Sequence, residues 1–225
     1  MLCGDSESGA EGRAINRTKI PWADYTWNPI TGCSPVSAGC ARCYASAMSK
    51  RFGWPWGKAS FHHERFEEPL HIKKPSRIFV CSMGDLGHAT VKQEWRDQIV
   101  GMMRAVPRHT YIILTKRPGP WLAEFAPFAW VGVTIESQKY IHRWRELIDY
   151  CSQNHTVRFV SVEPMLGPVT FREFYLQSWP DWVIAGPENG PGARPCDPKW
   201  IDDLAAESPC FFDKRMDWKR RDWPK

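Results

Sequence analysis

Short runs of apolar, mostly β-branched or aromatic residues recur along this chain from residue 77 onward, with amphipathic helical patterns between them. Near-continuous apolar runs of this kind are typical of strands that are buried on both faces, as in parallel sheets. The predicted strands are 77–82, 110–115, 130–135, 157–162, 182–186 and 210–212, preceded by a short first strand at 25–28. Repeated strand–helix units form either an open sheet or a barrel. We expect an α/β fold, a partial (β/α) barrel of six to seven mostly parallel strands.

Helix signals lie between these runs. Thr90 and Gln93 stand at the spacing of a capping box, which predicts a helix that Pro107 ends. Asp197 followed by Pro198 predicts another helix start, with an N-cap and a proline in the first turn. Further helices are predicted at 44–52, 120–125 and 139–151.

The length of 225 residues, with 43% hydrophobic and 24% charged residues, predicts one globular domain. We expect a flexible polar N-terminus at 1–20, the domain at 21–213 and a basic, aromatic tail at 214–225. The segment 53–75 has no clear period, so it is expected to be a lid or a substrate-facing insertion. With neither an apolar signal core nor about 18 consecutive apolar residues, the chain is expected to be cytoplasmic, with no membrane partner.

Charged residues follow nearly every predicted strand. The loops at the carboxyl ends of parallel strands converge on one site, and a carboxylate there is costly to desolvate unless it is paired. The exits carry Ser82 with Asp85, Lys116 with Arg117, Glu136, Glu163, and the loop 186–195 with Gly186 and Arg194. Either these residues share one polar pocket, which we favour, or they are ordinary solvated strand ends. For the loop 186–195, ligand contact and a plain turn are equally compatible with the sequence.

Three cysteines, Cys33, Cys40 and Cys43, stand within eleven residues after the predicted first strand. In a reducing compartment such a group indicates metal ligands. Three thiolates can hold three irons of a 4Fe-4S cluster and leave the fourth iron open. With His62 or His63 they can instead form a zinc site with three cysteines and one histidine. The cluster is favoured, because zinc ligands commonly come as two close pairs.

Several motifs in order carry a family resemblance: WNPITGC at 27–33, GCARCYA at 39–45, SMGDL at 82–86, LTKRP at 114–118, GVTIE at 132–136, SVEPMLGP at 161–168 and GPGARP at 190–195. The chain resembles the radical S-adenosylmethionine (SAM) superfamily. It is most similar to a phage- and prophage-associated family of small radical-SAM-like proteins, over residues 20–214. The usual superfamily spacing has three residues between the first two cysteines. The six found here are similar to the phage-associated family.

The resemblance implies a 4Fe-4S cluster on Cys33, Cys40 and Cys43, with SAM at the open iron and an external electron donor. It implies that the chain is an enzyme that cleaves SAM to a 5′-deoxyadenosyl radical. The resemblance implies that Tyr44 packs beside the cluster and that Ser82 and Asp85 lie near the methionine amino group of SAM. It implies that Glu136 and Glu163 face SAM ribose or substrate and that Gly186 contacts the cofactor. The residues that it places at anionic groups are Lys116, Arg117 and Arg194. Lys116 and Glu163 are the catalytic candidates.

The substrate expected from the resemblance is a nucleotide or nucleic-acid base, as in isomerase-type hypermodification of phage DNA in the bacterial host. The net charge of +5 agrees with an anionic partner. In the tail, Trp218 and Trp223 alternate with cations, which predicts either stacking on bases or a solvated end. The alternative function is a zinc- or cluster-binding protein that interacts with nucleic acid and does not cleave SAM.

Overall fold

The computed structural model describes residues 15–152, 156–174, 178–215 and 221–224. The strands are β1 (Asn16–Arg17), β2 (Tyr25–Trp27), β3 (Ile30–Thr31), β4 (Ser60–Phe61), β5 (Arg77–Val80), β6 (Thr110–Thr115), β7 (Ala129–Thr134), β8 (Arg158–Val162), β9 (Trp182–Ala185) and β10 (Phe211–Asp213). The α-helices are α1 (Tyr44–Phe52), α2 (Gln93–Ala105), α3 (Leu122–Phe125), α4 (His142–Cys151) and α5 (Pro198–Glu207).

The main sheet has the order β1-β2-β5-β6-β7-β8-β9-β10. Its seven strands from β2 to β10 pair in parallel, and β1 adds an antiparallel edge. β3 and β4 form a separate antiparallel pair. The sheet is curled into a half-barrel, which confirms the predicted partial (β/α) barrel. Because neighbouring parallel strands follow one another in the chain, the exits of β5 to β10 lie side by side at one end.

Most predicted elements are found within one or two residues of their bounds, and β6 and α1 have the predicted bounds. The capping box is wrong: α2 begins at Gln93 after Lys92, and the Thr90 hydroxyl lies 2.9 Å from the ring of His88 instead. The Asp197 cap is confirmed, since its carboxylate accepts a hydrogen bond from the amide of Lys199 at 2.9 Å.

The helices predicted at 139–151 and 120–125 are shorter than expected. A 3-10 turn, Gln138–Tyr140, precedes α4, and α3 covers only the last four residues of its predicted range. The segment 53–75 is a packed insertion: it contains β4 and two 3-10 turns, and Ala59 and Ile72 are buried. The lid interpretation is therefore wrong for residues 59–72.

The two faces of the curled sheet differ, because successive side chains of a strand point to opposite sides. The outer face carries aliphatic residues that pack beneath the helices, among them Val131 and Val160. The inner face carries a group that we call the inner aromatic cluster: Trp22, Phe79, Trp130, Phe159, Trp182, Phe212 and Trp223. Its centre is Trp182, which has no exposed surface.

The inner aromatic cluster fills the half-barrel toward the amino ends of β7, β8 and β9, where Trp130, Phe159 and Trp182 are the first or second residues. Gly132 is required beside it, since a Cβ there would lie 2.5 Å from the ring of Phe159. At the next inner positions of β7 and β8 the cross-strand pair is Thr134 and Ser161, which are much smaller. The interior is thus packed with rings at one end, while near the strand exits the small polar pair lies beside Ile184.

Both predicted terminal segments need correction where the structure describes them. Asn16–Arg17 pairs with β2, so the part of 1–20 from residue 15 onward belongs to the domain; residues 1–14 lie outside the described residues. Trp223 packs on Trp182 with ring centroids 5.2 Å apart, and the Arg77 guanidinium lies 3.8 Å from its centroid. Trp223 is therefore wrong as a stacking surface for bases, and Trp218 lies outside the described residues. No described helix has the length and apolar composition of a membrane span.

Replacing Trp182 by alanine is expected to lower the free energy of unfolding by about 3–5 kcal/mol, because the ring leaves a cavity among the other rings of the cluster. Urea denaturation followed by circular dichroism measures this change. The matched control is Trp54→Ala, whose side chain is half exposed, and its effect should stay within about 0.5 kcal/mol. Equal losses for the two variants would contradict a central packing role for Trp182.

Candidate active site

The three cysteines lie on one loop between β3 and α1. Cys33 follows β3, Cys40 lies in the 3-10 turn Ala38–Arg42, and Cys43 is the N-cap of α1. All three thiols are free and half-buried. Gly32 sets the start of the loop: its φ is +94°, and a Cβ there would lie 2.1 Å from the Lys58 carbonyl oxygen. Only glycine lets the two backbones approach so closely.

Arg117 joins Cys33 to the exit of β6. One guanidinium nitrogen, Nη1, donates to the Cys33 sulfur at 3.2 Å and lies 3.3 Å from Asp85 Oδ2. The other nitrogen, Nη2, donates to the carbonyl and the hydroxyl oxygens of Ser34. Burial and the charge of Asp85 raise the pKa of the Cys33 thiol, against the opposing effect of Arg117. This cation therefore faces the first sulfur of the loop directly.

Asp85 is buried, and its carboxylate is fully hydrogen-bonded within the protein. Oδ1 accepts from the Thr115 hydroxyl at 2.6 Å and the Gly87 amide at 2.9 Å. Oδ2 accepts from the Lys116 amide at 3.2 Å and from Arg117. A carboxylate has about four acceptor sites, and four donors occupy them here. In this structure Asp85 holds Arg117, and its expected contact with a methionine amino group stays a prediction.

Sequence reasoning missed Ser34 and His88, which extend this network. The Thr90 amide donates to His88 Nδ1 at 3.2 Å, so Nδ1 is unprotonated and Nε2 donates to the Ser34 hydroxyl at 2.9 Å. Burial and the charge of Arg117 lower the pKa of His88, which favours this neutral form. The signal available in the sequence was the position of His88 in the same strand exit as Asp85.

Glu136, at the exit of β7, supports the cysteine loop from beneath. Its carboxylate has no exposed surface and accepts from the Ser37 hydroxyl and from Arg143 Nη1 at 2.9 Å. A Cβ at Gly39 would lie 2.4 Å from Glu136 Oε1, so the loop backbone rests directly on this side chain. The loop covers Glu136 in this structure, and its expected contact with SAM ribose or substrate stays a prediction.

Cys40 lies above this buried carboxylate, with its sulfur 3.5 Å from the Ser37 hydroxyl. Burial alone would raise the pKa of the Cys40 thiol. Hydrogen bonds from the backbone around Val36 and Ser37, together with the charge of Lys116, outweigh that effect and lower it. The Lys116 ammonium is 3.7 Å from Glu136 Oε1. Arg117 thus places a cation in contact with the Cys33 sulfur, and the charge of Lys116 acts on Cys40.

The loop 186–195 is tied to the cysteine loop by two arginines. Arg194 donates to the buried Glu188 through its backbone amide and its guanidinium, and to the Ala38 carbonyl at 2.9 Å. Arg42 donates to the Pro191 carbonyl at 2.8 Å. Hydrogen bonds from Arg194 hold the pKa of Glu188 at about 2. Arg194 is engaged within the protein, and its expected role at an anionic group stays a prediction.

Glu163 and Lys214 face each other on the inner side at the exits of β8 and β10. The ammonium of Lys214 donates to both oxygens of Glu163. Gly186 adjoins the pair, since a Cβ there would lie 2.9 Å from Lys214 Cβ. Neither charged side chain is completely buried, with 15–21% of each exposed. Of the predicted exit carboxylates, Glu163 is the one that pairs with a single flexible lysine within the described residues.

Tyr44 and Ser82 form a third connection around the cysteine loop. The Tyr44 hydroxyl donates to the Ser82 carbonyl, while its ring is 53% exposed. The Ser82 hydroxyl and the Met83 amide both donate to Asn28 Oδ1. Asn28 is a residue that the predicted site omitted. Tyr44 therefore lies between Cys43 and the protein surface, where half of it is exposed.

Among residues 15–152, 156–174, 178–215 and 221–224, no three His, Cys, Asp or Glu side chains are gathered as ligands of one metal ion. His62 Nε2 lies 2.7 Å from the Thr31 hydroxyl, and its other nitrogen faces Glu64. The ring of His63 packs edge-on against Phe61. Both histidine rings thus have contacts within the protein, and the zinc alternative stays a prediction. A 4Fe-4S cluster takes each thiolate on a different iron, so its ligands stand farther apart than those of one zinc ion.

Solved structures of spore photoproduct lyase have a similar fold. A Tyr→Phe mutant of that enzyme is 12% identical at a TM-score of 0.53, covering 78% of this chain and 58% of the lyase chain. A double mutant with bound AdoMet and dinucleoside spore photoproduct is 14% identical at a TM-score of 0.50, and the match covers 67% of this chain and 48% of the lyase chain. The lyase complexed with dinucleoside spore photoproduct is 10% identical at a TM-score of 0.50, and the match covers 79% of this chain and 59% of the lyase chain. The chain thus spans about half the length of these proteins, and the likeness concerns the fold.

No curated protein matches the sequence. Residues 17–222 match the model of a family described as "Protein of unknown function (DUF5131)". This match takes in nearly all the described elements, from β2 to β10, together with the cysteine loop. The chain therefore belongs to the family described as "Protein of unknown function (DUF5131)".

Proposed function

We propose that this protein is a radical SAM enzyme that acts on a nucleotide or a nucleic-acid base. In this proposal Cys33, Cys40 and Cys43 hold three irons of a 4Fe-4S cluster, and SAM binds at the fourth. The observation that carries it is the group of three free, half-buried thiols at the open end of the half-barrel, where Arg117 contacts the Cys33 sulfur and the charge of Lys116 acts on Cys40.

The donor set fits such a cluster. Three thiolates carry negative charge that the cations of Arg117 and Lys116 offset, and Cys43 stands at the positive N-terminal end of α1. When bound, the cluster and SAM supply an electron and a 5′-deoxyadenosyl group that abstracts hydrogen from a substrate. The chain itself holds the cysteine loop, orients the bound molecules and excludes water.

The buried charges of the site act as positioning groups in this proposal. Asp85 holds Arg117 against Cys33, and Glu136 supports the loop beneath Cys40. Arg194 pairs with Glu188 and donates to the Ala38 carbonyl, which holds the loop 186–195 against the cysteine loop. Each is engaged with several protein donors or acceptors, so none has to reorganise when a ligand binds.

Glu163 and Lys116 are the residues that we assign to ligand chemistry. The Glu163 carboxylate is on the inner side of β8, where it can exchange its contact with Lys214 for hydroxyl groups of SAM ribose or substrate. Lys116 lies beside Cys40, where its ammonium can meet an anionic group of the ligand. We also assign contacts with the cofactor to Gly186, which adjoins Lys214, and to Tyr44, which follows Cys43 and is half exposed.

The substrate class rests on three supports. The motifs at 27–33 and 161–168 resemble those of phage-associated proteins, the net charge is +5, and proteins of similar fold bind AdoMet and a dinucleoside lesion. We propose hypermodification of a base in phage DNA, by an isomerase-type or related rearrangement in the cytoplasm of the bacterial host. An external electron donor would reduce the cluster.

Anaerobic reconstitution with iron and sulfide is expected to give a brown protein with about four irons and four sulfides per chain. Reduction in the presence of SAM is then expected to release 5′-deoxyadenosine, measured by liquid chromatography. Cys40→Ser should lose the colour and the product. Cys196→Ser, which changes another half-buried free thiol, is the matched control and should keep both. A colourless protein with one zinc would contradict the proposal, and a brown protein without product would point to a cluster protein that does not cleave SAM.

Arg117→Gln is expected to lower the reduction potential of the cluster by about 60 mV, because it removes a charged hydrogen-bond donor from the Cys33 sulfur. For a one-electron couple this equals a tenfold change in the equilibrium constant. A redox titration followed by electron paramagnetic resonance measures the shift. Arg172→Gln changes an exposed arginine distant from the cysteines and should leave the potential unchanged. An unaltered potential in Arg117→Gln, with the cluster retained, argues against the assigned role.

A further inference from the structure

We propose that the surface around α1 binds single-stranded nucleic acid and leads it to the cysteine loop. We call this the α1 surface, and it consists of exposed aromatic or apolar residues with cations between them: Tyr44, Met48, Lys50, Arg51, Phe52, Trp54 and Lys58. The proposal deepens the proposed function in one respect, because it supplies the polymer that carries the base. It makes no use of the C-terminal tail.

The first observation is the concentration of exposed apolar side chains. Six large hydrophobic residues are exposed among the described residues, and five of them fall between positions 36 and 54. Phe52 and Trp54 are each about half exposed, and their rings stack with centroids 5.0 Å apart at 25°. A local concentration of exposed rings, with most other exposed large hydrophobic residues beside it in the sequence, marks an interaction surface.

The second observation is the alignment of these residues. Tyr44, Met48 and Phe52 stand four residues apart on α1, so they share one face of the helix. That face begins beside Cys43 and ends at Trp54, just past the C-cap at Gly53. Eight residues of helix rise about 12 Å, which corresponds to about three nucleotides of a stacked strand. The stripe thus runs from the surface toward the proposed cluster ligands.

The third observation is the charge of the region. From Tyr25 to His63 the sequence contains no aspartate or glutamate. Lys50, Arg51 and Lys58 are exposed and form no ion pair within the described parts of the chain. The Arg51 guanidinium lies 5.4 Å from the Phe52 ring centroid, which sets a cation at the edge of the stacking surface. Unopposed cations next to exposed rings are complementary to phosphates and bases.

A single strand fits this surface better than other occupants. Bases that are not paired can stack on rings such as Phe52 and Trp54, whereas a duplex hides its base faces. A second copy of the chain would bring the same cations against Lys50 and Arg51, and like charges repel.

Binding to the aromatic part is tested with fluorescein-labelled DNA and RNA single strands of about 12 nucleotides, followed by fluorescence anisotropy. The double variant Phe52→Ala with Trp54→Ala is expected to weaken binding about tenfold or more for each ring lost. Leu70→Ala is the matched control, because Leu70 is also exposed but lies outside the α1 surface, and its affinity should equal that of the wild type. An unlabelled duplex of the same sequence should compete poorly.

The cations are tested through the salt dependence of binding. For single strands, log K falls with log salt by about 0.7 for each phosphate contact, so Lys50→Gln with Arg51→Gln should reduce the slope by about 1.4. Arg104→Gln, in the last turn of α2, is the control and should keep the wild-type slope. This measurement remains informative if the aromatic double variant does not fold.

The proposal is overturned if the aromatic variant binds both single strands as tightly as the wild type does. It is also overturned if the duplex binds best, or if the surface instead binds anionic lipid vesicles or drives a concentration-dependent dimer in sedimentation. Release of 5′-deoxyadenosine from SAM is measured separately in the same variants and should be unchanged without substrate. A wild-type protein that cleaves SAM but binds no single strand refutes this inference alone, whereas one that binds single strands through the α1 surface but does not cleave SAM refutes the proposed function alone.

Discussion

The cysteine loop depends on one buried carboxylate. Glu136 ends β7 without any exposed surface, and it is stabilised there by Arg143 from α4 and by the Ser37 hydroxyl of the loop. A buried charge is costly unless it is paired and hydrogen-bonded; the charges of Arg143 and Lys116 compensate this one, and the Ser37 hydroxyl adds a hydrogen bond. The close contact between Gly39 and the Glu136 carboxylate prevents the loop from approaching the sheet more closely. This contact fixes the height of Cys40 above the sheet.

A second constraint comes from the opposite end of the half-barrel. A curled sheet that does not close has an inner face that must be covered, and rings of the inner aromatic cluster, centred on Trp182, cover it. Trp223, near the C-terminus, belongs to this packing, which explains a tryptophan in an otherwise basic segment. The polar end of the half-barrel is left for Glu163 and Lys214, whose charges stay partly hydrated. The aromatic rings thus occupy one end of the inner face, and the charged pair of Glu163 and Lys214 occupies the other end.

The strands were predictable because buried parallel strands leave near-continuous apolar runs, and β6 was read with its observed bounds. The capping box at Thr90 failed because His88, two residues earlier, competes for the same hydroxyl. The segment 53–75 looked aperiodic because its order comes from distant contacts, such as the Trp27 indole donating to the Arg65 carbonyl. Those contacts join residues far apart in the chain, and no local pattern reports them.

The sequence by itself determined the α/β class, the parallel order of strands and the grouping of three cysteines with charged strand exits. Only the tertiary structure decided which charges are free to meet a ligand. Asp85, Glu136 and Arg194 are all engaged within the protein, whereas Glu163 keeps a single flexible partner. The physical reason is that a side chain's hydrogen-bonding capacity is consumed by whichever groups the fold brings beside it, and a spacing along the chain does not contain that information.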